Sequence, residues 1–243
     1  MASADRGQSE LVGFVLIFSI VLLAVVLLGI TGFAGIDRAQ MFQQSTNAEQ
    51  AFSAFADNTN EHLREGAPTR STEIGISDAK LLLDEPDNLT VHVDGEEVAI
   101  IEAHPLVYET GEATAISYAF GAVIREDGGS GVMQRSPNFV LTEEHVILPV
   151  ANTTGSAGDQ VSGTSSIQVQ TQRMGDTIHH KAHDGNHQVE IEITSPRATT
   201  WQRYLEDAQG VTSCDMVAEE TVSCAITTDA VLVTETTIGI RFR

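Results

Sequence analysis

The sequence predicts a mainly β protein, with a long N-terminal transmembrane helix that extends past the membrane. An antiparallel β-sandwich-like outer domain with one short amphipathic helix follows. Three observations predict this order. Leu11 to Ile36 contains no charged residue; Asp37 to Glu65 contains no proline or glycine and repeats its apolar positions at helical spacing; after Pro68 the apolar period becomes two.

The uncharged run of 26 residues, LVGFVLIFSIVLLAVVLLGITGFAGI, would rise about 39 Å as a helix, against a hydrocarbon core of roughly 30 Å. A discarded secretory leader has an apolar core of only about 7–15 residues behind a basic front end. Here the front end is MASADRG, where Asp5 offsets Arg6. The run is therefore expected to stay on the protein and to cross a membrane once. Arg6 and Arg38 flank it evenly, so charge does not orient it. The threonine-rich remainder, with two cysteines and two Asn-x-Thr sites, places the N-terminus in the cytoplasm and the C-terminal domain outside the cell membrane.

Beyond the span, Met41, Ala48, Phe52, Phe55 and His62/Leu63 form a narrow apolar seam on a polar helix, which Gly66 and Pro68 stop. Unbroken, Leu11 to Glu65 would be a rod on the order of 80 Å. The expected organisation is a leader at 1–7, a transmembrane helix at 8–36, its extension at 37–66 and a β-rich outer domain at 67–243.

Within that domain, short β-branched runs between turn formers predict strands at Thr72–Ser77, Lys80–Asp84, Leu89–Val93, Val98–Ala103 and Leu106–Glu109. Ala113–Arg125 and Val132–Gln134 follow, flanking a hairpin loop at Glu126–Gly131. His145–Val150, Ser166–Arg173, Gln188–Thr194, Val211–Cys214, Thr221–Thr227 and Ala230–Phe242 complete the set. One helix interrupts them. Ser195 is placed to cap it, Pro196 to open it and Gly210 to end it, and Trp201, Tyr204, Leu205 and Ala208 share one face.

Composition removes whole classes of function. Lys+Arg number 13 and Asp+Glu 34, a net charge of −21, so the chain lacks the clustered cations by which nucleic-acid binders neutralise phosphates. Two cysteines exclude a disulfide-dense scaffold and a four-cysteine zinc site. No GxSxG, HExxH, P-loop or dinucleotide fingerprint is present. Ser77-Asp78-Ala79-Lys80 matches S-x-x-K without its companion motifs. No catalytic residue, enzymatic activity or cofactor is expected.

Four local features remain. Cys214 and Cys224 fall on adjacent predicted strands, and an outward-facing pair would form a cross-strand disulfide; the alternative is two small buried thiols. Asn88 and Asn152 begin Asn-x-Thr sequons beside turn-like sequence and are candidate glycan sites. His179, His180, His183, Asp184 and His187 lie within nine residues, a donor set suited to zinc, copper or nickel if the Asp184-Gly185 turn gathers it; otherwise it is a solvated polar loop.

The fourth is Arg6-Gly7-Gln8-Ser9-Glu10-Leu11-Val12-Gly13-Phe14, where a basic and a small residue precede a short polar tripeptide and the apolar helix. This resembles the processing site of archaeal type IV prepilins. The resemblance implies cleavage between Gly7 and Gln8 by a prepilin peptidase, and a docking role for Glu10 toward the freed amine. Gly121–Asp127, Ser195–Ala198 with Trp201 and Tyr204, and the Cys214/Cys224 hairpin extend the resemblance to an uncharacterised haloarchaeal family of membrane-anchored, pilin-like proteins. It implies a cell-surface structural subunit or minor component whose partners are the membrane, the peptidase and other pilin-like subunits. A non-polymerising anchored domain that binds a ligand is the alternative, and a metal-dependent surface enzyme a further one.

The acidity carries its own expectation. Abundant carboxylate with only two lysines repels itself in dilute salt, whereas at ~1 M salt the screening length falls to about 3 Å. Dialysis into low salt should unfold the β-rich domain; a circular dichroism spectrum unchanged on salt removal would refute a salt-adapted surface.

Overall fold

Helix α1 (Ala4–Glu65) ends where the sequence demands it. Gly66 takes the left-handed conformation (φ +65°), and the Ala67 amide donates back to the Glu61 carbonyl. The protein is described by a computed structural model at residues 4–111, 114–155 and 159–243, with backbone alone at 4–11 and 28–42. It divides into two compact units, Met1–Thr46 and Asn47–Arg243.

In the first unit the expected transmembrane helix is not found. Among the described residues no helix is long and apolar enough to cross a membrane. This overturns the N-terminal part of the expected fold class and, with it, the single-pass location in the cell membrane.

The second unit is mainly β. Its strands are β1 (Thr69–Leu83), β2 (Asp87–Val93), β3 (Glu96–Ala103), β4 (Leu106–Thr110), β5 (Thr114–Ala119), β6 (Ala122–Asp127), β7 (Ser130–Arg135) and β8 (Val140–Leu141). β9 (His145–Thr154), β10 (Gln160–Ala182) and β11 (His187–Thr194) precede helix α2 (Ala198–Glu206), and β12 (Val211–Ala218), β13 (Thr221–Thr228) and β14 (Ala230–Phe242) follow it. They form a nine-stranded sheet, β7-β6-β5-β4-β1-β10-β14-β9-β8, and a five-stranded sheet, β12-β13-β11-β2-β3.

The two faces of the large sheet pack different partners, as alternation along a strand requires. On one face Ile74, Ile76, Leu81, Tyr108, Ile116, Tyr118 and Val123 enclose Ala48, Phe52, Phe55 and Ala56 of α1. On the other, Ala122, Ile124, Val146, Leu148, Val231 and Val233 meet Leu89, Val91, Ile191, Ile193, Val222 and Ile226 of the small sheet, with Trp201 and Leu205 of α2. The change of parity shows within single strands. In β6, Val123 joins the first core while Ala122 and Ile124 join the second.

Several strands depart from expectation for local reasons. Thr72–Ser77 and Lys80–Asp84 are one strand, β1, bent by a bulge at Asp78 (φ +50°). The strand expected over Ala113–Arg125 is, at residues 114–125, a hairpin: Phe120 (φ +51°) and Gly121 (φ +97°) supply the two positive φ angles of its turn. β10 runs far past Ser166–Arg173 because it is held between β1 and β14. The sheet is not wholly antiparallel, since β14 and β9 pair in parallel.

The terminal strands of both sheets are blunted. β7, β3 and β12 each carry bulges, at Gln134, at Val98, and at Thr212 and Val217, and β8 has only two residues. Bulges and short length spoil an edge for pairing with another chain.

Phe52 and Phe55 have no solvent exposure. Phe52→Ala or Phe55→Ala should each lower the stability of this unit by about 3–5 kcal/mol, read from chemical denaturation in high salt.

Candidate functional site

The most unusual surface lies in the first unit. From residue 12 to 27 every described side chain is exposed, and Val12, Phe14, Leu16, Phe18, Val21, Leu23, Val25 and Leu27 are each at least 51% accessible. Consecutive residues on a helix point in all directions, so this helix is apolar around its whole circumference. Ser19 removes its own polarity by donating its hydroxyl to the Val15 carbonyl at 2.7 Å. Gly7, Gln8 and Glu10 lie in α1, but their side chains fall outside the described residues.

In the second unit, α1 is fixed by more than its phenyl rings. Glu49 pairs with Arg125, Asp57 with Arg135 and Glu61 with Arg70. His62 is fully buried. Its Nδ1 meets the Ala67 carbonyl at 2.5 Å, and its Nε2 meets the Thr171 hydroxyl at 2.8 Å.

The histidine-rich segment is strand rather than loop over much of its length, and its members are drawn to different partners. His179, at a β10 bulge, meets Glu235 at 2.6 Å. Burial alone would raise the Glu235 carboxyl, but hydrogen bonds from Asn152, His179 and Thr237 outweigh it and hold the group below its usual value. His187 opens β11 and donates from Nδ1 to Asp94 at 2.9 Å. That bond and the Gln188 amide hold Asp94 low. His183 and Asp184 occupy the intervening turn, and Asp184 has φ +56°. His180 lies in β10 with its Nε2 buried. Among the described residues no three His, Cys, Asp or Glu side chains converge as a metal would require.

Cys214 and Cys224 stand opposite each other in the β12–β13 ladder and are joined by a disulfide. Asn88 and Asn152 lie within β2 and β9 rather than on turns. The Asn152 amide donates to Glu235 at 2.7 Å, and both asparagines have a buried side-chain oxygen.

One polar cluster has no counterpart in the sequence analysis. Ser195, expected to cap α2, instead accepts from the Arg197 amide at 3.1 Å and donates to Asp87 at 2.9 Å. Arg197, itself buried, donates from Nε to Glu126 at 2.8 Å. Asp87 belongs to the small sheet and Glu126 to the large one. The cluster therefore ties α2 to both layers, and the residues that form it are too far apart in the chain for spacing to reveal it. Desolvation pushes the Asp87 carboxyl up to about 6, against the pull of Arg197 and Ser195.

The model of a family described as a family of unknown function (DUF7289) matches residues 6–241. The chain belongs to that family. No curated protein and no solved structure matches it. The DUF7289 match spans both units, so the exposed helix and the β-rich unit are parts of one family pattern.

Asp87 generates a test. Its folded value lies above the ordinary 3.8, so its stabilising contribution is fully present below about pH 4 and is lost as pH rises through about 6. Asp87→Asn keeps an oxygen to accept from Ser195. It should flatten the stability change between pH 4 and 6 by about 2–3 kcal/mol relative to wild type; parallel denaturation curves across that window would contradict the assignment.

Proposed function

We propose that this chain is a pilin-like structural subunit that associates with further copies, or with related subunits, through its N-terminal helix. The observation that carries the reading is the fully apolar circumference of residues 12–27. An exposed apolar surface of this extent marks an interaction site, and helices of this character are stable when packed among others. Strand addition is the other common route to self-association, and the bulged or very short terminal strands oppose it. The β-rich unit, held on α1 by the phenylalanine seam and three ion pairs, is the part such an assembly displays. In this reading a prepilin peptidase cuts between Gly7 and Gln8, and Glu10 sits near the freed amine.

The test is the assembly state of the full chain in high salt. Wild type should sediment as oligomers or filaments whose N-terminal peptide begins at Gln8 by mass spectrometry. Leu16→Ser combined with Leu23→Ser should shift the population at least tenfold toward monomer, with the circular dichroism spectrum retained. A wild-type chain that stays monomeric at all concentrations would overturn the proposal.

A further inference from the structure

The parallel pair β9/β14 gives the β-rich unit two chemically different ends. The register runs from Ala230 opposite His145 to Gly239 opposite Thr154. The residues just before these strands, Glu143, Glu144 and Asp229, line one crevice of about 370 Å³ with Asn186, Thr212 and Thr227. All three carboxylates are exposed, and among the described residues none forms an ion pair. At the far ends of the same strands lies a groove of about 190 Å³ lined by Thr154, Gln170, Gln172, Met174 and Arg241.

This second end carries two of the chain's 13 cations. Arg70, Lys80, Arg125, Arg135, Arg173 and Arg197 are all in ion pairs. Arg241 and Arg243 are exposed and, like Arg64, Lys181 and Arg203, belong to no ion pair among the described residues; they are set apart by lying two residues apart at one strand end. Their alternation along β14 puts them on one face of the sheet. The neighbouring strand is uncharged from Gln160 to Gln172, and its partners Thr69 and Ser71 are neutral; Glu73, opposite Gln168, lies a strand further from Arg243.

We propose that the Arg241/Arg243 end of one copy docks into the Glu143/Glu144/Asp229 crevice of a second copy, joining β-rich units head to tail. The inference rests on the self-assembly reading and names a contact that the helix does not supply. Guanidinium forks match carboxylate geometry in two parallel hydrogen bonds. The crevice is the larger of the two concavities, as a receiving surface should be. The two ends lie about 40 Å apart along β14 at ~3.3 Å per residue, so one copy cannot satisfy itself. A contact between unlike patches is heterologous and propagates as an open chain unless rotation closes it. Direct ion pairs persist where a ~3 Å screening length suppresses the long-range repulsion of the acidic units.

The experiment mixes two full-length variants, Gln172→Cys and Asn186→Cys, in high salt under mild oxidation. Non-reducing gels then read the disulfide-linked dimer. The mixed pair should cross-link at least tenfold faster than either variant alone. Arg241→Glu with Arg243→Glu on the Gln172→Cys partner should cut that rate about tenfold. Glu143→Arg with Glu144→Arg on the other partner should restore it, which separates a lost contact from a lost fold. Mixed cross-linking no faster than self-cross-linking, or indifferent to charge reversal, would overturn the contact. Sedimenting wild type with charge-indifferent cross-linking removes this contact and leaves the helix reading standing; charge-sensitive cross-linking with monomeric wild type does the reverse.

Discussion

The architecture of the β-rich unit depends on burying two phenylalanines of a helix against a sheet. Phe52 and Phe55 project from the last turns of α1, and nothing else on that stretch can hide them. The chain leaves the helix through Gly66, Ala67 and Pro68 and enters β1 at once. So short a connection lays β1 back along the helix, and β1 becomes a central strand with β10 and β4 on either side. The alternation of Ile74, Ile76 and Leu81 then commits one face of the large sheet to the helix. The opposite face, with Ile124, Leu148 and Val233, is left to the small sheet.

Charge refines what apolar burial decides. Three of the few cations sit opposite Glu49, Asp57 and Glu61 on the helix. Each pair is partly exposed, and exposed pairs contribute only about 0–1 kcal/mol. At that magnitude they add to the hold that the buried rings already supply. Arg197 differs, because it is buried and bridges Glu126 on one sheet to the neighbourhood of Asp87 on the other. A buried charge that lost its partner would be costly, so this cluster holds α2 and both sheets in one arrangement.

Much of this was legible in the sequence, and the failures have physical causes. The seam at Ala48, Phe52 and Phe55, the stop at Gly66 and the amphipathic α2 were written in spacing. The turn at Phe120-Gly121 was not, because phenylalanine rarely takes a positive φ and only the glycine hinted at it. β10 was read short because Gln160–Ser166 is polar and Met174–Ala182 lacks clean alternation; their strand state comes from ladders with β1 and β14. The histidines looked like a ligand set because sequence proximity suggests convergence, but a bulge sends His179 to Glu235 while His187 reaches Asp94. The membrane span was read from an unbroken apolar run, and no helix among the described residues meets that length and apolarity. The ends of β9 and β14 went unnoticed because their juxtaposition depends on strand direction, which no local pattern encodes.

That direction has a consequence for any assembly. In an antiparallel pair each end of the ladder holds one strand start and one strand finish, so charges at starts and finishes mix and cancel. β9 and β14 run the same way, so Glu143 and Glu144 before one and Asp229 before the other collect at a single end. Thr154 and Arg241, near the two finishes, collect at the other. A unit with blunted edges has no sideways template for growth. Its polarity is instead axial along these two strands, which favours contacts that repeat in one direction over contacts that close on themselves.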